Sequence, residues 1–270
     1  MSACKRFTLN SALEVAVAAA RAAGQIMKEN INKRKRITAV TSHDVKLALD
    51  VQCQKTIQKI LTDSFPYIPI LGEEGTLGNT SSEMRWVVDP IDGTVNYSFG
   101  IPHACTCIAL QIKDETKKDN SMYPYITQIG VIYDPFMDEL WTAIKGKKSK
   151  LNGKTIAVGK HTELKHALVA IGLGKTSEEV SANLPYFCKV SQLALKTRIM
   201  GSAGLGLAYV ACGRFDVYVE RGINIWDIAA GGLILECAGG VFWTETTPKS
   251  NFFRMIATNQ ALLKQLPPFE

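Results

Sequence analysis

A chain of 270 residues with a 46% hydrophobic share supplies a sizeable core, as one large domain or two closely packed halves, and this excludes a disordered polymer. The longest candidate span, Val15 to Ala20, is closed by Glu14 and Arg21, far below the roughly 20 apolar residues a membrane helix needs, so no membrane partner is expected. The net charge of +6 sits in two clusters, Lys33-Arg34-Lys35-Arg36 and Lys145 to Lys150, which read as solvated loops; no helix-turn-helix, zinc-finger or RNA-binding signature accompanies them, so no nucleic-acid partner is expected.

In chain order, Ser11-Ala-Leu-Glu14 has the spacing of a capping box, and Leu13, Val17, Ala20, Ala23, Ile26 and Met27 recur at helical intervals, which predicts a first helix to about residue 30. After the basic loop, Asp44 is placed to cap a second helix whose buried stripe runs through Leu47, Val51, Ile57, Ile60 and Leu61, with Asp50 near its start. Ile68 to Leu71 reads as a short strand ending in Gly72-Glu73-Glu74-Gly75. The apolar run Trp86-Val87-Val88 leads into Asp89-Pro90-Ile91-Asp92-Gly93-Thr94. Ala104 to Lys113, Thr127 to Tyr133 and Glu139 to Ile144 then form an antiparallel meander, and Asn152-Gly153 is a hairpin turn. The second half alternates: strand Ala167 to Gly172 and a helix near Ser177 to Leu195, strand Arg198 to Met200 and a small-residue helix to Ala211, strand Phe215 to Glu220 and a helix to Cys237. Strands at Val241 to Thr244 and Met255 to Thr258 and a helix near Gln260 to Leu266 close the chain.

Seven cysteines, an odd number partly buried in apolar runs and with no signal-peptide pattern ahead of them, point to a reducing, cytoplasmic setting. Cys105-Thr106-Cys107 alternates as a strand and is read as two thiols on opposite faces of a sheet, without chemistry of their own.

The chemistry gathers in three acidic segments, Glu73-Glu74, Asp89 with Asp92, and Asp227, each at a switch between a strand and a loop or helix, where an α/β fold presents ligands along a shared edge. Any one of them is an ordinary turn or cap residue; carboxylates crowded together call for a cation. Magnesium suits them because it takes oxygen ligands and is completed by substrate phosphate and water. Asp89 and Asp92 can share such an ion with the Ile91 carbonyl. Glu73 and the Thr94 hydroxyl are partners for an attacking water, and the N–H groups of Gly93 and Thr94 suit a phosphate anion. A haloacid-dehalogenase reading fails because Pro90 stands where that motif needs its nucleophilic Asp.

Trp86 to Tyr97 (WVVDPIDGTVNY), with Gly72-Glu73-Glu74 upstream and Trp226-Asp227-Ile-Ala-Ala-Gly231 downstream, resembles the inositol monophosphatase family of magnesium-dependent, lithium-sensitive phosphatases. Gly130 to Tyr133, Lys145-Gly146, Asn152-Gly153, Gly201 to Ala203 and Glu220 to Ile223 follow in the family's order, so the resemblance spans most of the chain. It implies a single domain folded as a five-layer αβαβα sandwich, residues 1–150 forming a metal-binding half and 151–270 a substrate-side α/β half. It also implies hydrolysis of a phosphate monoester without a phosphoenzyme, two or three Mg2+ ions, a small phosphorylated substrate and a homodimer. By that resemblance Glu73, Asp89 and the Ile91 carbonyl hold one metal, and Asp89, Asp92 and Asp227 a second. Glu73 and Thr94 orient water, Gly93 and Thr94 bind phosphate, Glu220 holds substrate hydroxyls, and Gly201, Ser202 and Ala203 line the same pocket.

Ala39 replaces a lysine common in the family, Lys46-Leu-Ala-Leu-Asp50 replaces Val-Thr-x-x-Asp, and Asn224 replaces a histidine. Asp44 and Asp50, the third-metal region, and Glu74 are therefore secondary candidates. Inositol 1-phosphate is the expected substrate, because Val95-Asn96 stands where the nucleotidase branch reads Lys-Gly. Fructose 1,6-bisphosphate or 3′-phosphoadenosine 5′-phosphate is the alternative within the same chemistry, and a non-catalytic scaffold is the alternative outside it.

Overall fold

A computed structural model describes residues 7–40, 45–114, 124–246 and 252–268. Helix α1 (Leu9–Asn30) is followed by a two-stranded ribbon, β1 (Ile37–Val40) and β2 (Val45–Leu47), and by α2 (Ala48–Ser64). The cap of α1 lies three residues earlier than the spacing predicts. Thr8 has extended backbone and its hydroxyl accepts from Ser11 N–H at 3.0 Å, while Ser11 Oγ accepts from Thr8 N–H at 3.0 Å, so Ser11 closes the box rather than opening it. The buried stripe of α1 is correspondingly Ala12, Ala16, Ala19, Ala23 and Met27, with Leu13, Val17 and Ile26 on its flanks. Small side chains let the helix axis approach the sheet closely. Leu47, not Asp44, precedes α2; Asp44 lies outside the described residues.

The next segment builds one sheet: β3 (Ile70–Gly72), β4 (Gly75–Leu77), β5 (Met84–Asp92), then after α3 (Thr94–Ser98) β6 (Cys105–Lys113), β7 (Tyr125–Asp134), β8 (Glu139–Ile144), β9 (Lys150–Leu151) and β10 (Lys154–Thr155). Its order is β10-β9-β8-β7-β6-β5-β3-β4, antiparallel except for the β3–β5 pair, so the predicted meander is present. The remainder alternates: β11 (Leu168–Ile171), α4 (Ser177–Leu193), β12 (Lys196–Arg198), α5 (Ala203–Ala211), β13 (Val217–Asn224), α6 (Ile225–Cys237), β14 (Val241–Thr246), β15 (Phe252–Thr258) and α7 (Gln260–Leu263). These strands form a second sheet in the order β12-β11-β13-β15-β14.

Strand alternation sorts the interior into three cores. Trp86, Val88 and Ile108 face α1 and α2, whereas Val87, Cys107 and Ala109 face the opposite way, onto α5 and α6. Leu205, Leu207, Ile228 and Ile234 of those helices also touch Tyr218, Met255 and Ala257 of the second sheet. That pair of helices is buried on both sides, which is why its sequence is apolar all round. On the far side, Val169, Ile171, Val217 and Val219 pack against Tyr186 and Val190 of α4 and Leu262 of α7. Helices, sheet, helices, sheet, helices: the predicted five-layer αβαβα sandwich is the observed architecture. Among the described residues no helix is long and apolar enough to cross a membrane.

Cys105 and Cys107 correct one expectation. Two residues apart on a strand they share a face, and their Sγ atoms are 3.7 Å apart on the inner side of β6.

Candidate active site

The register of β5 against β6 slips between Asp89 and Asp92, so that Asp89 pairs with Cys107 and Asp92 with Cys105. This bulge allows two carboxylates three residues apart to point into the same space. Asp89 Oδ1 accepts from the Ile91 N–H at 3.0 Å, and Thr106 Oγ1 donates to the Pro90 carbonyl at 2.9 Å, which pins the bulge. Gly93 then turns the chain with φ +90°, and a Cβ there would stand 2.8 Å from the His103 carbonyl oxygen, so the position takes glycine on two grounds. Thr94 Oγ1 donates to the Ile91 carbonyl at 2.7 Å.

Asp92 is buried at 7% exposure and held by α5. Ser202 Oγ donates to Oδ2 at 2.5 Å, and the Gly204 and Ala203 N–H groups reach Oδ2 and Oδ1 at 2.7 and 3.2 Å. Ser202 is at the same time the N-cap of α5. Asn96 secures that segment from the other side, its Nδ2 donating to the Met200 carbonyl at 2.8 Å and to the His103 carbonyl at 3.1 Å. Asp227 lies in the first turn of α6, where Oδ2 accepts from the Asn224 N–H at 2.9 Å. One carboxylate oxygen each from Asp89, Asp92 and Asp227 falls within 4.8 Å of the others.

Glu73 reaches the group from the β3–β4 turn, its N–H donating to the Val88 carbonyl at 3.1 Å, and Lys175 Nζ stands 4.0 Å from its Oε1. Burial pushes Glu73 up to about 8, against the attraction of Lys175 and with the help of Asp227. Burial likewise raises Asp89, reinforced by Glu73, Asp92 and Asp227, and raises Asp92, reinforced by Asp227. Glu220, on β13, accepts from Tyr218 Oη and is pushed up to about 7, again mainly by burial. These groups repel one another in a poorly solvated space. The donor set fits a hard divalent cation: oxygen atoms only, buried, and close enough for two or three carboxylates to share an ion.

A cavity of about 260 Å³ opens over the group. Glu73, Asp89, Ile91, Asp92, Gly93 and Thr94 line it together with Gly201, Ser202, Ala203, Glu220 and Asp227, so the principal residues singled out in the sequence meet in one place. Of the secondary candidates, Glu74 and Asp50 do not join them. Glu74 points away from its neighbour Glu73 and pairs with Lys46 Nζ at 2.8 Å, while its N–H donates to Gln54. Asp50 Oδ2 accepts from the Leu47 N–H at 2.7 Å, within its own helix start. Asp44 lies outside the described residues.

Sequence reasoning missed Lys175, the one basic residue lining the cavity among the described residues; its signal is the Gly172-Leu-Gly-Lys run between β11 and α4. It also missed the clamp by which Ser202 fixes Asp92, a contact across 110 positions that no local pattern announces.

The model of the family described as the inositol monophosphatase family matches residues 8–265. Inositol monophosphatase 1 of Solanum lycopersicum is 33% identical, with 94% of this chain and 93% of that protein covered. A Pasteurella multocida protein named Nus factor SuhB is 34% identical over 86% of this chain and 85% of its own. Among solved structures, the inositol monophosphatase from Anabaena superimposes with a TM-score of 0.80 at 34% identity, covering 97% of this chain and 98% of that one.

Proposed function

This chain belongs to the inositol monophosphatase family of metal-dependent phosphatases, and on that premise we propose that it hydrolyses a phosphate monoester, inositol 1-phosphate, with magnesium. The observation that carries the reading is the meeting of Asp89, Asp92 and Asp227 oxygens within 4.8 Å, beside Glu73 and under one cavity. Glu73, Asp89 and the Ile91 carbonyl would hold one ion, and Asp89, Asp92 and Asp227 another. When bound, such ions neutralise the phosphate and stabilise charge on the attacking and departing oxygens. In this reading residues 1–150 supply Glu73, Asp89 and Asp92, and residues 151–270 supply Asp227 and Glu220.

The chain's own groups divide the remaining work. Thr94 Oγ, already aligned by its bond to the Ile91 carbonyl, and the Glu73 carboxylate orient the attacking water, and Glu73 as a base takes its proton. Gly93 and Thr94 line the cavity, where their N–H groups would bind the phosphate. Glu220 offers carboxylate oxygens to substrate hydroxyls, with Tyr218 fixing its orientation. Lys175 adds positive charge on the cavity wall that favours an anionic substrate.

Phosphate release from inositol 1-phosphate, fructose 1,6-bisphosphate and 3′-phosphoadenosine 5′-phosphate, with and without magnesium and with added lithium, tests the proposal. Fastest release from inositol 1-phosphate, dependent on magnesium and inhibited by lithium, is expected; release from none of the three sinks it. The family resemblance also supports a homodimer, which sedimentation at micromolar concentration checks. The free thiols of Cys53, Cys105 and Cys107 support a reducing, cytoplasmic setting. A second reading comes from relatives named Nus factor SuhB, a name that describes no hydrolysis: the same fold serving as a binding partner. Under that reading Asp92→Asn would leave the protein's biological role intact.

A further inference from the structure

Directly beneath the oxygen cluster the ligand chemistry changes from hard to soft. Cys105 and Cys107 sit opposite Asp92 and Asp89 in the β5–β6 register, on the face that meets α5. Cys105 Sγ lies 3.5 Å from Asp92 Oδ2 and 3.7 Å from Cys107 Sγ, and one atom from each of the three residues falls within 4.8 Å of the others. Both thiols are buried, at 0% and 1% exposure. The enclosure is made by Gly204 of α5, where a Cβ would stand 2.4 Å from Cys107 Sγ and 2.9 Å from Cys105 Sγ. Ser202 Oγ, 3.8 Å from Cys105 Sγ, stands between the thiols and the cavity.

The two separations made by Cys105, to Asp92 Oδ2 and to Cys107 Sγ, match those of ligands sharing a zinc ion. Two sulfurs bound to zinc at about 2.3 Å stand roughly 3.8 Å apart, and a sulfur and a carboxylate oxygen roughly 3.5 Å apart. Neither thiol lines the cavity, whereas Asp92 does, so the carboxylate is the point of entry and the sulfurs complete the coordination from below. Two sulfurs and one oxygen discriminate strongly against magnesium and in favour of zinc or cadmium.

We propose that Asp92, Cys105 and Cys107 form a binding site for a thiophilic divalent cation such as zinc, and that its occupancy inhibits the enzyme by taking Asp92 from the magnesium cluster. The two sites draw on one carboxylate, and a zinc ion held beside it would repel a magnesium ion in the adjoining cluster, so each weakens the other. Binding expels the thiol protons, so zinc affinity rises with pH.

The test uses the whole protein, kept reduced with a phosphine, in excess magnesium. Equilibrium dialysis with zinc is expected to find a single ion that the Cys105→Ala/Cys107→Ala protein does not retain. Cobalt in its place is expected to give thiolate-to-metal absorption in the near ultraviolet, a readout on the unmodified chain that needs no variant to fold. Cys107→Ser, close in volume, serves if the double variant does not fold. Since even partners outside the ligand shell change metal affinity by roughly 10–100-fold, loss of both thiols should raise the zinc concentration for half-inhibition by at least about tenfold. Inhibition is read relative to each protein's own zinc-free, magnesium-supported rate, so the loss of the Cys105 contact to Asp92 does not enter the comparison. Zinc retention and inhibition unchanged in the variants, or cobalt bound without the thiolate band, would overturn the proposal. The inhibition arm rests on the phosphatase reading; dialysis and absorption do not, so the two can fail separately.

Discussion

Two acidic stretches of this chain meet different fates: Asp89 and Asp92 at the end of β5, and Asp50 at the start of α2. All three are buried, at 1%, 7% and 3% exposure, so burial does not distinguish them. Direction and company do. The β5 bulge turns Asp89 and Asp92 toward Asp227 and Glu73, and donors from α5 hold Asp92 there. Asp50 turns back on its own helix and accepts the Leu47 N–H, and it does not line the cavity. A carboxylate is a candidate ligand where elements from distant parts of the chain converge on it; closing its own helix start does not decide the matter, since Asp227 accepts the Asn224 N–H as Asp50 accepts the Leu47 N–H and still faces the cluster.

The largest expected effect follows from removing a converging carboxylate. Asp92→Asn should lower turnover by roughly 10²–10³-fold or more, as losing a group that stabilises transition-state charge does. If Asp50→Asn cost as much turnover, the contrast between the two stretches would collapse. Ser202→Ala removes the clamp and leaves the ligand, so turnover should fall by roughly 10–100-fold with weaker magnesium affinity, measured as the magnesium concentration for half-maximal rate. Lys175→Gln is expected to raise KM more than it lowers kcat, and Lys175→Arg to restore most of it. Asp50→Ala should leave catalysis alone and lower stability by about 0.5–2 kcal/mol, read from denaturant unfolding, because the Leu47 N–H loses its partner.

The same contrast has a pH signature. Glu73 is pushed up to about 8 by burial, so between the ordinary carboxylate range and that value the folded chain keeps a proton that the unfolded chain has released. Stability of the chelator-treated protein therefore falls as pH rises through this window and levels off above it. Magnesium competes with that proton, so the gain in melting temperature on adding magnesium should be larger at pH 8 than at pH 6. An equal gain at both values would mean that the cation binds elsewhere.

What could be read from the chain alone was whatever local pattern carries. The Asp89-Pro-Ile-Asp92-Gly-Thr94 run, the alternation of the second half and the Asn152-Gly153 turn each follow from neighbours in sequence. The α1 cap was misplaced because Thr8 and Ser11 form a box with serine where the usual pattern has Glu or Gln, so the Ser11-to-Glu14 spacing competed with it. The thiols were assigned to opposite faces although a separation of two residues puts them on one, and their bearing on Asp92 required the β5–β6 register. The bonds of Ser202 to Asp92 and of Asn96 to Met200, and the approach of Lys175 to Glu73, join distant parts of the chain, which no local pattern announces. Glu73 and Glu74 show the limit most plainly: adjacent, chemically alike, and separated only by the direction each takes from a turn.

Under the proposed function, one converging carboxylate cluster makes this chain a magnesium-dependent phosphatase. The most direct measurement of this is phosphate release from inositol 1-phosphate by the intact chain and by Asp92→Asn, each titrated with magnesium after chelation. No release without magnesium, saturable release with it in the intact chain, and near-complete loss in the variant at every magnesium concentration are expected. Release that is independent of magnesium, or equal in the two proteins, would contradict it.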